Sequence, residues 1–480
     1  MKYEAVIGAE VHAELATETK LFCGCRTAFG ASPNTQTCPV CLGMPGVLPV
    51  MNRKAFEFAL KIALALNCRV DEVTSFDRKN YYYPDLPKNY QISQNHRNIG
   101  REGFLDIVVD GALKRVNIWN VHLEEDAGKL VHPEGASDAG TLVDLNRTGT
   151  PLLEIVSAPD MRNAAEVESF MKTLRNILLY TGVSDCKMQE GRLRFEPSIS
   201  LRPAGEQKLG ARVEVKNVGS ITAVVKAVEY EIERQTKALE AGEKLTQETR
   251  LWDDHASRTV SMRRKETSAD YRYFPEPDLV EVRISEEWKA RVRGTLPELP
   301  VPKRLRFRER YGLGDYEAAV LTEDRALADY YEACVAAGEA SPKAVANWMI
   351  NDVLRHLNET RVEIAQFPCA PARVAALAGL AEKGTISLGT AREVFTEMVA
   401  SDRDPAEIVK AKGLAQISDE SFILEVVNRV LAANARSVAD YKAGKKAAFN
   451  ALIGPVMRET KGKANPQVVR QLLEKRLAES

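Results

Sequence analysis

Four cysteines near the start constrain this chain most. Cys23-x-Cys25 and Cys38-x-x-Cys41 form two close pairs with twelve residues between them. Pairs at this spacing suit tetrahedral zinc, and the Gly/Pro-rich loop that carries them has little core of its own. Just upstream, Val6-Ile7-Gly8-Ala9-Glu10-Val11-His12-Ala13-Glu14 reads as a strand. Strand side chains alternate faces, so Glu10, His12 and Glu14 point the same way. A carboxylate–imidazole–carboxylate row suits a hard or borderline divalent cation. The plainer reading of such a row is a solvated sheet face.

A chain of 480 residues holds two to four domains and buries a large core. It contains no run of eighteen apolar residues and no apolar signal core, which predicts no membrane span and a cytoplasmic protein. In that reducing compartment Cys68, Cys186, Cys334 and Cys369 are most simply buried thiols. The net charge of −1 argues against a nucleic-acid-coating surface. A local patch remains open, because residues 440–480 carry nine Lys/Arg against four Asp/Glu.

Residues 1–295 are rich in strand-like alternation. A helix is expected over 54–65, strands over 106–109, 116–119 and 141–145, and a long amphipathic helix over 223–241. The clearest alternation runs over 192–202: Leu193, Phe195, Ile199 and Leu201 face one side, while Arg192, Arg194, Glu196, Ser198, Ser200 and Arg202 face the other. Arg212-Val213-Glu214-Val215-Lys216 repeats the pattern. The expectation is an antiparallel sheet with one apolar face on helices and one charged face left open. Such a face can hold a cation and an anion together, as a metal–nucleotide site needs. Pro297, Pro300 and Pro302 read as a linker. Beyond it, helical spacing recurs over 324–337, 342–357, 371–383, 390–399 and 418–433. Asn465-Pro466 is a cap followed by proline at the first helical position, and Lys461 and Lys463 precede that positive helix end as a phosphate contact. The fold class is α+β, with an N-terminal sheet domain (1–295, its cysteine knot at 23–41), a helical domain (296–405) and a small helical tail (406–480).

Several clusters carry possible chemistry. In His122-Leu123-Glu124-Glu125-Asp126, a strand would put His122 and Glu124 on one face and Glu125 on the other. Asp144-Leu145-Asn146-Arg147 and Glu154 follow. Lys79 to Lys88, with Tyr81, Tyr82 and Tyr83, and Arg263-Arg264-Lys265 ahead of Tyr271-Arg272-Tyr273-Phe274 combine cations with aromatics that stack bases and hold phosphates. The chain lacks a P-loop, a dinucleotide fingerprint and a nucleophile elbow. A bound nucleotide would therefore sit outside those frameworks, and nothing marks a hydrolytic nucleophile.

These segments resemble the B subunit of the tRNA-dependent amidotransferases acting on Asp-tRNA(Asn) and Glu-tRNA(Gln). The resemblance runs over essentially the whole chain. It is carried by Gly8-x-Glu10-x-His12, the four cysteines with Cys38-Pro39-Val40-Cys41-Leu42-Gly43-Met44-Pro45-Gly46, Asn80-Tyr81-x-Tyr83-Pro84-Asp85-Leu86-Pro87-Lys88, His122 to Lys129, Asp144 to Leu152, Ser261 to Glu266, Asp270 to Leu279, and Lys461-Gly462-Lys463-Ala464-Asn465-Pro466. It implies a cradle-shaped N-terminal domain, a helical domain and a helical tRNA-binding tail. The implied activity is that of a glutamine-dependent carbon–nitrogen ligase component. ATP phosphorylates the side-chain carboxylate of the mischarged amino acid, and ammonia from a separate glutaminase subunit displaces phosphate. A small third subunit completes the complex.

The resemblance makes Glu10, His12 and Glu125 Mg²⁺ ligands, with Glu124 and Glu154 as near neighbours in catalysis. Residue chemistry, more than the resemblance, makes Lys79, Lys88, Arg147, Arg263 and Lys265 candidate phosphate contacts; Cys23, Cys25, Cys38 and Cys41 are expected to form a structural zinc site, and Lys461 and Lys463 to contact tRNA. The chain departs from the family at Arg194-Phe195-Glu196-Pro197-Ser198, where Arg-Cys-Asp-x-Asn is usual, and at Asn89, where glycine is usual. Residue chemistry alone leaves two rivals: a non-catalytic zinc-ribbon protein binding nucleic acid, and a scaffold for a partner enzyme. The recurrent acidic clusters, which repel phosphate unless a cation intervenes, count against the first. The charged open face counts against the second.

Overall fold

The computed structural model describes every residue except 1, 133–139, 265–270, 402, 418, 444, 461–462 and 480. The chain forms two compact units, Met1–Lys303 and Arg304–Ser480. The first is built on an eight-stranded sheet: β1 (Tyr3–Glu14), β2 (Gly100–Val109), β3 (Ala112–Glu125), β4 (Pro151–Ser157), β5 (Leu193–Pro203), β6 (Val213–Lys216), β7 (Glu248–Asp253) and β8 (Arg258–Arg264). Their spatial order is β8-β7-β6-β5-β1-β4-β3-β2.

The alternation read in the sequence sets the two faces. Ala5, Ile7, Ala9, Val11 and Ala13 of β1 and Leu193, Phe195, Ile199 and Leu201 of β5 point into the core. Three helices cover that face: α1 (Arg53–Ala65), α2 (Ala164–Thr181) and α3 (Ile221–Glu240). Phe56 and Leu60 of α1, Phe170 and Leu174 of α2, and Val224 and Val228 of α3 are fully buried against it. Each such side chain contributes roughly 1.5–3 kcal/mol through removal from water. All three helices start on a side-chain cap. Asn52 accepts from the Lys54 and Ala55 amides, Asn163 from Glu166 N–H and Ser220 from Ala223 N–H.

One expectation needs correction. The sheet is not wholly antiparallel, because β6 and β7 pair in parallel from Val213↔Glu248 to Lys216↔Leu251. The reason is α3, which lies between them in the chain. A helical crossover returns the chain to the end it left, so the next strand runs in the same direction. The proline-rich segment is likewise more ordered than expected. Pro300 and Pro302 lie in the first turn of the helix Pro300–Tyr311, where a missing N–H costs little.

The second unit is helical and holds two separate apolar clusters. One gathers Phe307, Tyr331, Met349, Val374 and Phe395 among others; the second gathers Ile423, Val427, Leu452, Val469 and Leu473. The helix expected over 342–357 is Pro342–Trp348 followed by a π turn at Met349–Val353 and the helix Leu354–Thr360. Within the π turn, buried Asp352 accepts from Arg355 at 2.7 Å and Arg392 at 3.1 Å. That pair of contacts is a local reason for the extra residue. Asn465 caps the last helix, Pro466–Glu479, by accepting from Gln467 N–H at 2.9 Å. Among the described residues no helix is long and apolar enough to cross a membrane.

Candidate active site

The charged face of the sheet is organised by strand register. His122 of β3, Glu154 of β4, His12 of β1 and Arg194 of β5 stand opposite one another across four strands. On one side of this rung, Glu10 stands opposite Glu196; on the other, the Glu14 amide donates to the Arg192 carbonyl. Cross-strand neighbours on one face lie about 4.5–5.5 Å apart, so functional groups far apart in sequence meet here.

Two groups of metal-ligating side chains result. The Nε2 atoms of His12 and His122 lie 3.3 and 3.1 Å from Glu154 Oε2, and both lie 3.8 Å from a Glu124 oxygen. His12, Glu124 and Glu154 bring ligand atoms within 4.8 Å of one another, and so do Glu10, Glu196 and Glu214. His12 Nδ1 and Glu124 Oε2 are buried without a hydrogen-bond partner. Orphaned polar atoms in so acidic a setting fit a bound cation, and the carboxylate-rich donor sets suit Mg²⁺ or Mn²⁺.

The electrostatics follow from crowding. Burial pulls the His12 imidazolium down, but the charges of Glu154 and Glu196 outweigh it and push His12 up to about 9. Burial, then the facing charge of Glu154, pushes Glu124 up. Burial opposes ionisation of Glu154 too, yet His122 and His12 hold it well below the usual carboxylate range. Glu14 is pushed up to about 7, by burial first and the Asp126 charge second. Lys79 loses some basicity to burial and regains more from Glu124 and Glu154, so its ammonium is held. It also lies 4.9 Å from the Tyr271 ring centre.

The expected residues are thus partly brought together. Glu10, His12, Glu124 and Glu154 share the open face, and Lys79 faces it. Glu125 does not join them, because it points to the other side of β3. There it pairs with Lys88 and accepts the Ile92 amide at 3.0 Å. Arg147 is held by the carbonyls of Ala127 and Gly128 at 3.0 and 2.6 Å, with Asp126 3.7 Å away. Arg263 lies on β8 opposite Thr249. Lys265 and Lys461 lie outside the described residues. Lys463 is exposed and donates to the Gly413 carbonyl at 3.1 Å. His122, Arg194, Glu196, Glu214 and Asp126 complete the face. For the first four, the sequence pattern signalled only which side of a strand each takes, and for Asp126 it assigned none.

Of the departures from the family pattern, those at Glu196 and Asn89 are accommodated, whereas the Ser198 hydroxyl is buried without a hydrogen-bond partner among the described residues. Glu196 stays within the carboxylate group and pairs with Lys216 at 2.7 Å, so its longer arm does not remove it. Asn89 adopts φ +59°, a left-handed conformation that asparagine tolerates better than most side-chain-bearing residues.

The four cysteines form the second candidate centre. Their sulfurs all lie within 4.8 Å of one another, and Cys38 and Cys41 are 3.9 Å apart. A tetrahedron with Zn–S bonds of about 2.3 Å puts sulfurs about 3.8 Å apart. The Cys38 amide donates to Cys41 Sγ at 3.2 Å, and fully buried Lys20 approaches the same sulfur at 3.6 Å. The Cys41 thiol is held down to about 4, chiefly by the hydrogen bond from Cys23 and against burial; the Cys38 amide and the Lys20 charge add to this. A buried ammonium beside a cluster of thiolates offsets part of their charge, which fits a dication held by four sulfurs.

Residues 5–290 match the family described as the GatB/GatE catalytic domain, and residues 329–477 match the GatB domain. The chain therefore belongs to the B-subunit family of the tRNA-dependent amidotransferases, glutamine-dependent carbon–nitrogen ligases that act as multi-subunit complexes. It is 54% identical over 478 residues to the aspartyl/glutamyl-tRNA(Asn/Gln) amidotransferase B subunit of Carboxydothermus hydrogenoformans, covering 99% of each chain. It is 52% identical to the protein of the same name from Geobacter sulfurreducens, covering 99% of this chain and 100% of that one.

Proposed function

We propose that this protein activates the side-chain carboxylate of mischarged Asp-tRNA(Asn), Glu-tRNA(Gln) or both at the open sheet face. The carboxylate oxygen attacks the γ-phosphorus of ATP, the bond to the β-phosphate oxygen breaks, and ADP leaves. Ammonia then attacks the acyl carbon, phosphate leaves with the former carboxylate oxygen, and the amide forms. The observation that carries this reading is the pairing of His12, Glu124 and Glu154 with Glu10, Glu196 and Glu214 along one strand face. Mg²⁺ held by these groups would neutralise phosphate charge during transfer. Lys79 faces the same region and meets phosphate oxygens. The aspartate or glutamate substrate is negative, so a face of bare carboxylates would repel it; cations at both groups remove that objection.

The remaining assignments belong to the same reading. Ammonia comes from a separate glutaminase subunit, since this chain carries no motif for a hydrolytic nucleophile, and a small third subunit completes the complex. Zinc at Cys23, Cys25, Cys38 and Cys41 is structural, with no open position. Residues 1–295 form the catalytic domain, 296–405 the helical domain and 406–480 the tRNA-binding tail, with Lys461 and Lys463 on its phosphate path. The protein works in the cytoplasm. The test is ATP cleavage by the assembled complex with mischarged tRNA. His12→Ala and Glu124→Ala should each lower it by at least about 100-fold, as expected for loss of electrostatic stabilisation in phosphoryl transfer. Near-normal cleavage in either variant would refute the reading.

A further inference from the structure

The outward row of β1 continues past the two carboxylate groups to Glu14, which lines a cavity of about 450 Å³. The cavity carries both signs of charge: Glu14, Asp144 and Glu190 against Lys129, Arg147 and Arg192. A polyphosphate entering it would meet three carboxylates. A group that is itself positive at one end fits better.

The polar groups are unequally occupied. Asp144 Oδ1 accepts the Asn34 and Asn146 amides at 3.1 and 3.0 Å. Glu190 pairs with Arg192 at 2.9 Å, and Arg192 also with Asp185 at 2.8 Å. The Glu14 carboxylate has neither a hydrogen bond nor an ion pair with any described residue. At the rim stands Phe29, 64% exposed, with the Arg192 guanidinium 5.8 Å from its ring centre. An exposed ring beside a mixed-charge cavity resembles an aromatic platform for an unpaired base.

We infer that this cavity seats the aminoacyl-adenosine 3′ end of the tRNA, with the Glu14 carboxylate taking the α-ammonium and the Phe29 ring stacking the terminal adenine. The inference rests on the function proposed above and adds the seat of its second substrate. The spacing agrees. His12 and Glu14 are alternate residues of one strand, about 6.6–6.8 Å apart along it. The α-nitrogen and side-chain carboxyl carbon of aspartate or glutamate are separated by three or four bonds of about 1.5 Å, hence by about 4–5 Å at most. An amino group held at Glu14 therefore presents the carboxylate toward His12 and Glu124.

The same geometry gives the cysteine knot a task. Phe29 lies between Cys25 and Cys38, in the loop whose ends the four sulfurs gather. The 144–147 segment holds that loop from the other side, with Asn146 Oδ1 accepting the Gln36 amide at 2.8 Å and Asn146 Nδ2 donating to the Ser32 carbonyl at 2.7 Å. Knot and clasp together fix the rim on which Phe29 stands.

The test uses the assembled complex and two stable analogues of the tRNA terminus. One is 3′-deoxy-3′-glutamylamidoadenosine; the second is its counterpart lacking the α-amino group. Each is measured as an inhibitor of tRNA-dependent ATP cleavage. The wild type should bind the amino-bearing analogue about 10–100-fold more tightly, as a charge-assisted bond predicts, and Glu14→Gln should erase that preference. Phe29→Ala should weaken both analogues about 10-fold and raise KM for aminoacyl-tRNA, with KM for ATP within twofold of wild type. Phe29→Trp should restore binding. The inference is overturned if Glu14→Gln keeps the wild-type preference, or if Phe29→Ala leaves analogue affinity unchanged. In those outcomes the wild-type complex still cleaves ATP with mischarged tRNA, so the proposed function would stand while this seat would not.

Discussion

Replacing Glu154 with glutamine tests the charge balance of the open face. The amide is isosteric and can still accept from an imidazole, so the change removes one negative charge and little else. Glu154 sits 3.3 Å from His12 and 3.1 Å from His122. The His12 imidazole is pushed up to about 9 from an ordinary 6.5. A difference of that size corresponds to about 3 kcal/mol, the net of burial and Arg194 lowering the imidazole against Glu154 and Glu196 raising it. The sign is definite. His12 has its folded value raised, so its contribution is complete below pH 6.5 and is lost as pH rises through 9. Without added Mg²⁺, Glu154→Gln should therefore lower stability to urea by about 3 kcal/mol near pH 6, with the deficit shrinking toward pH 9.5. The His12 ring resonance followed by NMR should titrate well below 9 in the variant. In the complex with Mg²⁺, ATP cleavage should fall about 100–1,000-fold through loss of one anionic ligand. A variant with the wild-type stability profile, an unchanged His12 titration and turnover within twofold would refute the argument.

Three further outcomes are expected. Metal analysis should find about one zinc per chain, and the four knot thiols should resist alkylation until a chelator is added; no zinc with all four thiols freely alkylated would contradict the cysteine assignment. Deleting residues 406–480 should weaken tRNA binding, flatten its salt dependence and raise KM for mischarged tRNA with little change in ATP affinity; equal affinities and salt slopes would leave the tail without its role. The isolated chain should hydrolyse no glutamine, whereas added ammonia should replace glutamine in the complex; glutaminase activity of the chain alone would overturn the division of labour.

Local patterns proved readable and register did not. Period-two alternation placed Glu10, His12 and Glu14 on one face, and separated Glu124 from Glu125, because both follow from a single strand's pleat. The gathering of the four cysteines was legible because the two pairs are close in sequence. The run Pro151–Ser157 hid its place between β1 and β3. That place brings Glu154 between two histidines from distant strands. The Glu10–Glu196–Glu214 group was equally hidden, since it depends on the pairings β1·β5 and β5·β6. The parallel pair β6·β7 was missed because alternation carries no strand direction. Tertiary pairing supplies what a one-dimensional period lacks.

The central claim is that the substrate carboxylate becomes an acyl phosphate at the open face. The most direct measurement gives the complex mischarged tRNA with oxygen-18 in the side-chain carboxylate, together with ATP, Mg²⁺ and ammonia. The account predicts one labelled oxygen in each inorganic phosphate released and ADP free of label. Unlabelled phosphate alongside amide formation, or label in the nucleotide, would contradict it.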